Sequence, residues 1–324
     1  MYRRLWWILG CAILGVALGL GAQTAPRFRW PVACTLGQDC FVMLYVDRDP
    51  GPGEQDFGCG RQTYDGHKGT DIAIADPTVR RPVVAAAPGR VLRVRDGVPD
   101  RLLRDRQDPR VRGQECGNGV VVDLGNDWEA QYCHLRQNTV AVRPGQTLQA
   151  GDRLGEIGLS GATSFPHVHF EVRHRGQTID PFVGFTTASG CRVARRSLWQ
   201  SDPGYVPTGA IAGGFHQDVP TAEGAEQGEL NATTISATAP VLTFWARAYG
   251  ALAGDVETLK LVAPDGRTVA QRTQTLTVPN RQRFAFVGQR NRDRLPLGRW
   301  QGEYTLQRQG ETRVRIQREA IVQP

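Results

Sequence analysis

Lysine is almost missing from this chain: of 39 Lys and Arg residues, only Lys68 and Lys260 are lysine. The formal charge of +7 therefore rides on arginine. It gathers into no long basic run and no nucleic-acid motif, so no nucleic-acid partner is expected. A dispersed basic balance suits lipid headgroups or an anionic polymer, or is simply a solvated surface. Histidine is scarce as well, with six in 324 residues. No two cysteines stand in a CxxC pair, which argues against a zinc ribbon. Long helical periodicity is also lacking. With 38 Gly and 20 Pro, short alternating apolar/polar runs dominate, and they point to strands and turns.

Charge is absent from one further place. Leu5 to Ala22 is an uncharged apolar run behind Arg3 and Arg4, closed by Gly19, Gly21 and Ala22 and followed by Pro26. This order reads as a secretory signal over residues 1–25, with an uncleaved N-terminal membrane anchor as the alternative. Cys11 follows Ile8-Leu9-Gly10 in the manner of a lipobox, but the apolar run continues past it. Export to the periplasm or cell exterior leaves six cysteines in an oxidising compartment, an even number that suggests disulfides. Cys34 with Cys40 is the pair expected, since the short intervening segment can close a small loop.

The fold class expected is mainly β, in two domains. A lead-in segment covers residues 26–56. A strand-rich domain follows over 57–190, with strands at Thr70 to Ile74, Pro82 to Ala86, Gly89 to Arg95, Gly119 to Leu124, Glu129 to Leu135 and His167 to Arg173. Gly125-Asn126-Asp127 reads as a hairpin turn. Asp96 to Glu115 is a mixed-charge insertion, read as a solvated rim loop. Residues 191–228 read as a linker, Gly- and Ala-rich toward its end. Residues 229–324 carry about seven short strands and a Pro264-Asp265-Gly266 turn, which suits a smaller immunoglobulin-like β-sandwich. Its partner, if any, has no signature.

Four of the six histidines fall in three compact motifs. In Asp65-Gly66-His67-Lys68-Gly69-Thr70-Asp71, the glycines disfavour a helix. The alternation of Ile72 and Ile74 makes Asp71 point away from the core. In Phe165-Pro166-His167-Val168-His169-Phe170-Glu171-Val172-Arg173, a strand puts His167, His169 and Glu171 on one face and Val168, Phe170 and Val172 on the other. In Gln131-Tyr132-Cys133-His134-Leu135, alternation pairs Tyr132 with His134 and turns Cys133 away. Three such side chains plus a water satisfy a catalytic zinc ion, one per chain. The two histidines left over supply the base and acid that hydrolysis needs.

In this order and spacing the motifs resemble the lysostaphin-type (LytM-type) zinc metallopeptidases. The glycine-marked stretches Pro82 to Gly89, Asn118 to Asp123, and Ala150-Gly151-Asp152 through Gly155 to Gly161 have counterparts there too. The resemblance covers about Phe57 to Pro181. It implies that His67, Asp71 and His169 bind Zn²⁺, that His134 and His167 are catalytic, and that the metal sits in a groove of an antiparallel sheet. It also implies that the substrate is a cross-link or bridge peptide of bacterial peptidoglycan. Which of His134 and His167 is the base stays open. Phe165 departs from the family by standing where a glycine usually precedes Pro166, which narrows the groove, and the 96–115 insertion is longer than expected. A non-catalytic wall-binding or hydrolase-activating module is one alternative function, and a zinc peptidase acting on proteins is another.

Overall fold

The computed structural model of the chain describes residues 25–103, 108–230 and 232–324. The signal or anchor read over residues 1–25, with Arg3, Arg4 and Cys11, lies outside these but for Ala25.

The first ten strands are β1 (Cys40–Leu44), β2 (Thr70–Ile74), β3 (Pro82–Val84), β4 (Gly89–Arg95), β5 (Asn118–Gly125), β6 (Trp128–Leu135), β7 (Thr147–Leu148), β8 (Arg153–Glu156), β9 (His167–His174) and β10 (Gln177–Ile179). Eight of them form one antiparallel sheet in the order β1-β2-β9-β6-β5-β4-β7, with β10 on β9. Strands β3 and β8 pair separately. Alternation decides the faces. Ile72, Ile74, Val120, Val122, Ala130, Tyr132, Val168, Phe170 and Val172 all enter one core. The β5–β6 turn has Asn126 and Asp127 at φ of 51° and 62°, the left-handed pair that a two-residue hairpin demands.

The lead-in segment and the start of the expected linker belong to this domain. Phe28 and Trp199 are both buried in the core, and they bridge in parallel. Strand β1 lies at the edge of the main sheet. Isolated large residues such as Phe28 and Trp199 carry no period, which is why the sequence shows no element there. The six cysteines pair as Cys34–Cys40, as expected, Cys59–Cys191 and Cys116–Cys133.

The remaining strands are β11 (Gly209–His216), β12 (Thr234–Ser236), β13 (Val241–Ala251), β14 (Val256–Val262), β15 (Thr268–Thr275), β16 (Asn280–Arg290), β17 (Gly298–Arg308) and β18 (Glu311–Gln323). They make a three-stranded sheet β11-β13-β16 and a five-stranded sheet β12-β18-β17-β14-β15, which share a core including Phe244, Leu259, Leu261, Trp300 and Tyr304. Residues 209–228, read as linker, instead form β11 and the helix α1 (Ala222–Gln227). Strand β11 hides its identity because its glycines press against neighbours: a Cβ on Gly213 would lie 2.8 Å from Ile316. Strand β15 is a polar edge strand held by β14. The Pro264-Asp265-Gly266 turn joins those two strands, with Ala263 N–H donating to Arg267 O at 2.9 Å.

The two cores meet at a third cluster, in which Phe41, Met43, Leu44, Ala73 and Phe165 pack on Ile211 and Tyr249. Phe41 and Tyr249 stack at 5.0 Å between centroids, a contact worth about 1 kcal/mol beyond its burial. Ala73 lies on β2 opposite His167 and Phe165 stands just before β9, so this contact brings the sandwich up to the polar face of the first sheet.

Candidate metal centre

Asp71 on β2 and His169 on β9 are directly paired residues of adjacent antiparallel strands. Opposed residues share a face, so both project from the side of the sheet away from the Ile72 and Phe170 core. His67 reaches the same point from the loop before β2, where its backbone N–H donates to Tyr64 O at 2.9 Å. Asp71 Oδ1 lies 3.1 Å from His67 Nε2 and 2.8 Å from His169 Nδ1, and the two ring nitrogens are 3.2 Å apart.

This donor set fits a metal ion. His67 Nδ1 lies 2.6 Å from Tyr45 O. A carbonyl only accepts, so the proton is on Nδ1 and the Nε2 lone pair faces the centre. Three acceptors then converge, and one cation satisfies all of them at once. Tetrahedral zinc with bonds of ~2.0–2.1 Å separates its ligand atoms by roughly 3.3 Å, close to the triangle seen here. Burial alone would raise the Asp71 pKa. The surrounding His67, His167 and His169 outweigh it and hold the carboxyl well below its usual range.

His167 and His134 complete the cluster. His167 lies on β9 two residues from His169, and its Nδ1 sits 2.8 Å from Phe165 O, with Thr163 Oγ1 at 3.1 Å. Its Nε2 is 3.4 Å from Asp71 Oδ2. The His134 ring stands 4.7 Å from that of His167, centroid to centroid, and its Nδ1 sits 2.8 Å from Ser160 O. By the same logic as for His67, both carry the proton on Nδ1 and keep Nε2 as the proton-accepting nitrogen. Burial chiefly lowers both pKa values. For His134 the charges of His167 and His169 add to it, and its pKa falls well below the ordinary 6.5.

The expected pairing of Tyr132 with His134 on one face does not hold. Cys133 is the residue opposite His169, and Tyr132 is opposite Phe170 in the core. Continued alternation would bury His134 beside Tyr132. Instead His134 takes a φ of 62° at a register shift in the pairing of β6 with β5, and its ring turns to the polar face beside His167. Its N–H donates to Cys116 O at 2.8 Å, and Cys116 is the disulfide partner of Cys133.

Glu171 shares the polar face but is held by Arg173 at 3.0 Å and Thr178 at 3.2 Å, so it stands apart from the centre. Sequence reasoning passed over Tyr64, whose ring lies 4.6 Å from that of His67, and the carbonyls of Tyr45 and Ser160. Carbonyls leave no trace in residue identity, whereas Tyr64 stands three residues before His67 and was open to notice. Phe165 stacks on His167 at 4.2 Å. The 96–115 insertion is tied to the domain rather than simply solvated: Asp100 Oδ1 accepts from Leu159 N at 2.6 Å, and Leu103 N donates to Thr163 O at 2.8 Å.

Residues 65–181 match the model of Peptidase family M23. The chain is 32% identical over 114 residues to the peptidoglycan DD-endopeptidase ShyA of Vibrio cholerae, covering 35% of this chain and 22% of that one. It is 30% identical over 116 residues to the murein hydrolase activator NlpD of Salmonella dublin, covering 36% of this chain and 25% of that one. Among solved structures, the catalytic domain of a mutant of the prophage-encoded M23 protein EnpA from Enterococcus faecalis aligns at 23% identity and a TM-score of 0.31. That alignment covers 48% of this chain and 94% of the other. The chain spans between 22% and 51% of the length of the first curated relatives it matches.

Proposed function

From the premise that residues 65–181 form a domain of peptidase family M23, we propose that this chain is an exported zinc endopeptidase that hydrolyses peptide cross-links or bridges of bacterial peptidoglycan. The observation that carries the proposal is the convergence of His67, Asp71 and His169 beside two further histidines held neutral. A ligand set alone would serve a structural metal. A ligand set with two adjacent proton acceptors serves hydrolysis.

Zinc bound by His67, Asp71 and His169 supplies Lewis acidity and lowers the pKa of a water toward neutrality. The remaining work falls to side chains. His134 and His167 each present a lone pair on Nε2, with the ring fixed by a backbone carbonyl behind it. Either can take a proton of the attacking water onto Nε2, and the imidazolium so formed then steadies the oxygen that becomes charged. The proton then passes to the leaving amine. Tyr64, tilted against His67, and Phe165, stacked on His167, hold those rings in place and shield them from solvent. Three disulfides support an oxidising, extracytoplasmic compartment, in keeping with export by the segment 1–25.

Similarity to a murein hydrolase activator favours a second reading, in which the domain binds wall and stimulates another enzyme. Retention of all five site groups weighs against it. Digestion of purified peptidoglycan followed by product analysis separates the readings. The proposal expects shortened cross-link peptides with new amino ends, and a muropeptide profile unchanged from the undigested wall would contradict it.

A further inference from the structure

A cavity of about 510 Å³ opens between the two domains. From the first domain its walls include Tyr64, Phe165 and Leu102, and from the sandwich Glu226, Arg281 and Gln282. Two of these residues touch the metal centre: Tyr64 lies against His67 and Phe165 against His167. Tyr64 and Phe165 are therefore shared between the wall of the cavity and the surroundings of the histidine cluster. Its near wall is apolar and its far wall is polar.

The far wall is built on an ordered base. Arg247, a buried residue of β13, donates to Gln282 Oε1 at 2.9 Å and to Glu226 Oε1 at 3.4 Å. These contacts occupy Glu226 and set Gln282. Arg281 differs. It gives Nη2 to Glu54 of the first domain, yet its side chain stays 41% exposed. A guanidinium has five N–H donors, so a second carboxylate can be received in a forked contact.

We propose that the sandwich domain completes the substrate groove, with the interdomain cavity holding the peptide stretch beside the scissile bond and Arg281 receiving a carboxylate of that peptide. Small apolar side chains of the substrate lie on Tyr64 and Phe165. This assignment rests on the peptidase reading for its substrate, but the cavity is tested without turnover. Pockets of this size with an apolar body and few polar groups are the usual form of a ligand site.

The test uses the full zinc-loaded chain carrying His167→Ala, to prevent cleavage, and calorimetric titration with two probes. One is a blocked tripeptide with a single glutamate side chain, and the other is its glutamine counterpart. The glutamate peptide is expected to bind about tenfold more tightly. Arg281→Ala should erase that preference, and Glu54→Gln, which removes the internal competitor, should strengthen binding. Equal affinity for the two peptides, or no binding of either, would overturn the assignment. So would parallel weakening by Arg281→Ala and Glu54→Gln, since Arg281 would then only tie the domains together. Wall digestion by the unaltered chain is scored separately. Peptide discrimination without digestion sinks the peptidase reading alone, and digestion without discrimination sinks the subsite alone.

Discussion

Gly69 lies against the ring of His169 with no room for a methyl group between them: a Cβ at Gly69 would stand 2.5 Å from His169 Cε1 and 2.6 Å from Nε2. The glycine in the His67-to-Asp71 motif is therefore a packing requirement of the His169 ring. Gly69→Ala should displace His169 and weaken zinc affinity by about tenfold or more, since overpacking of this kind costs roughly 1–3 kcal/mol. Competition against a chelating dye measures it. Unchanged affinity would mean that His169 is not held against Gly69 in the metal-bound chain.

His169→Ala and His167→Ala should part company. The first removes a group from the ligand triangle and should lose the metal. The second removes a proton acceptor and should keep zinc while losing about a hundredfold or more in turnover. Zinc content by mass spectrometry, set beside cleavage rate, decides it. Equal zinc content with equal activity loss would reverse the assignment.

The Cys116–Cys133 disulfide should matter to catalysis more than to metal binding. It anchors the carbonyl of Cys116, which receives the N–H of His134 at its left-handed turn. Replacing both cysteines by serine should lower kcat and leave zinc stoichiometry near one. It should also cost about 3 kcal/mol of stability. Full retention of kcat would show that the turn at His134 holds itself.

Acid should destabilise the zinc-free chain, with a sign set by three buried groups. His134 and His167 have folded pKa values below 6.5. The unfolded chain takes up these protons first, so stability is full above that value and lost as pH falls through it. Each histidine contributes a slope of about 1.4 kcal/mol per pH unit. Asp180 acts in the opposite sense. Burial pushes its pKa up from 3.8 to about 7, so it adds stability as pH falls toward 4. Two losses outweigh one gain, and the Tm of the chelated protein should drop between about pH 6.5 and about pH 5. Asp180→Asn should steepen that drop. A Tm that holds or rises over this range would contradict the buried, neutral state of the two histidines.

Much of this was legible in the sequence wherever a face alternates. Ile72 and Ile74 put Asp71 on the polar side, and Val168, Phe170 and Val172 did the same for His167 and His169. The site was thus readable on two of its strands. His134 was not readable in its geometry, because a left-handed φ at a non-glycine residue leaves no mark in composition. The pairing of Cys59 with Cys191 and the burial of Phe28 and Trp199 depend on segments far apart in sequence. Strand β11 escaped because its glycines are there for close approach rather than for periodicity. The docking of the sandwich beside Phe165 is a property of two surfaces and has no local signature.

The most direct test of the zinc peptidase assignment is the release of new amino groups from purified peptidoglycan by the full chain, measured as prepared, after chelation, and after zinc is restored. The expected result is release that stops on chelation and returns with zinc. Release that is indifferent to chelation, or none in any of the three states, would contradict it.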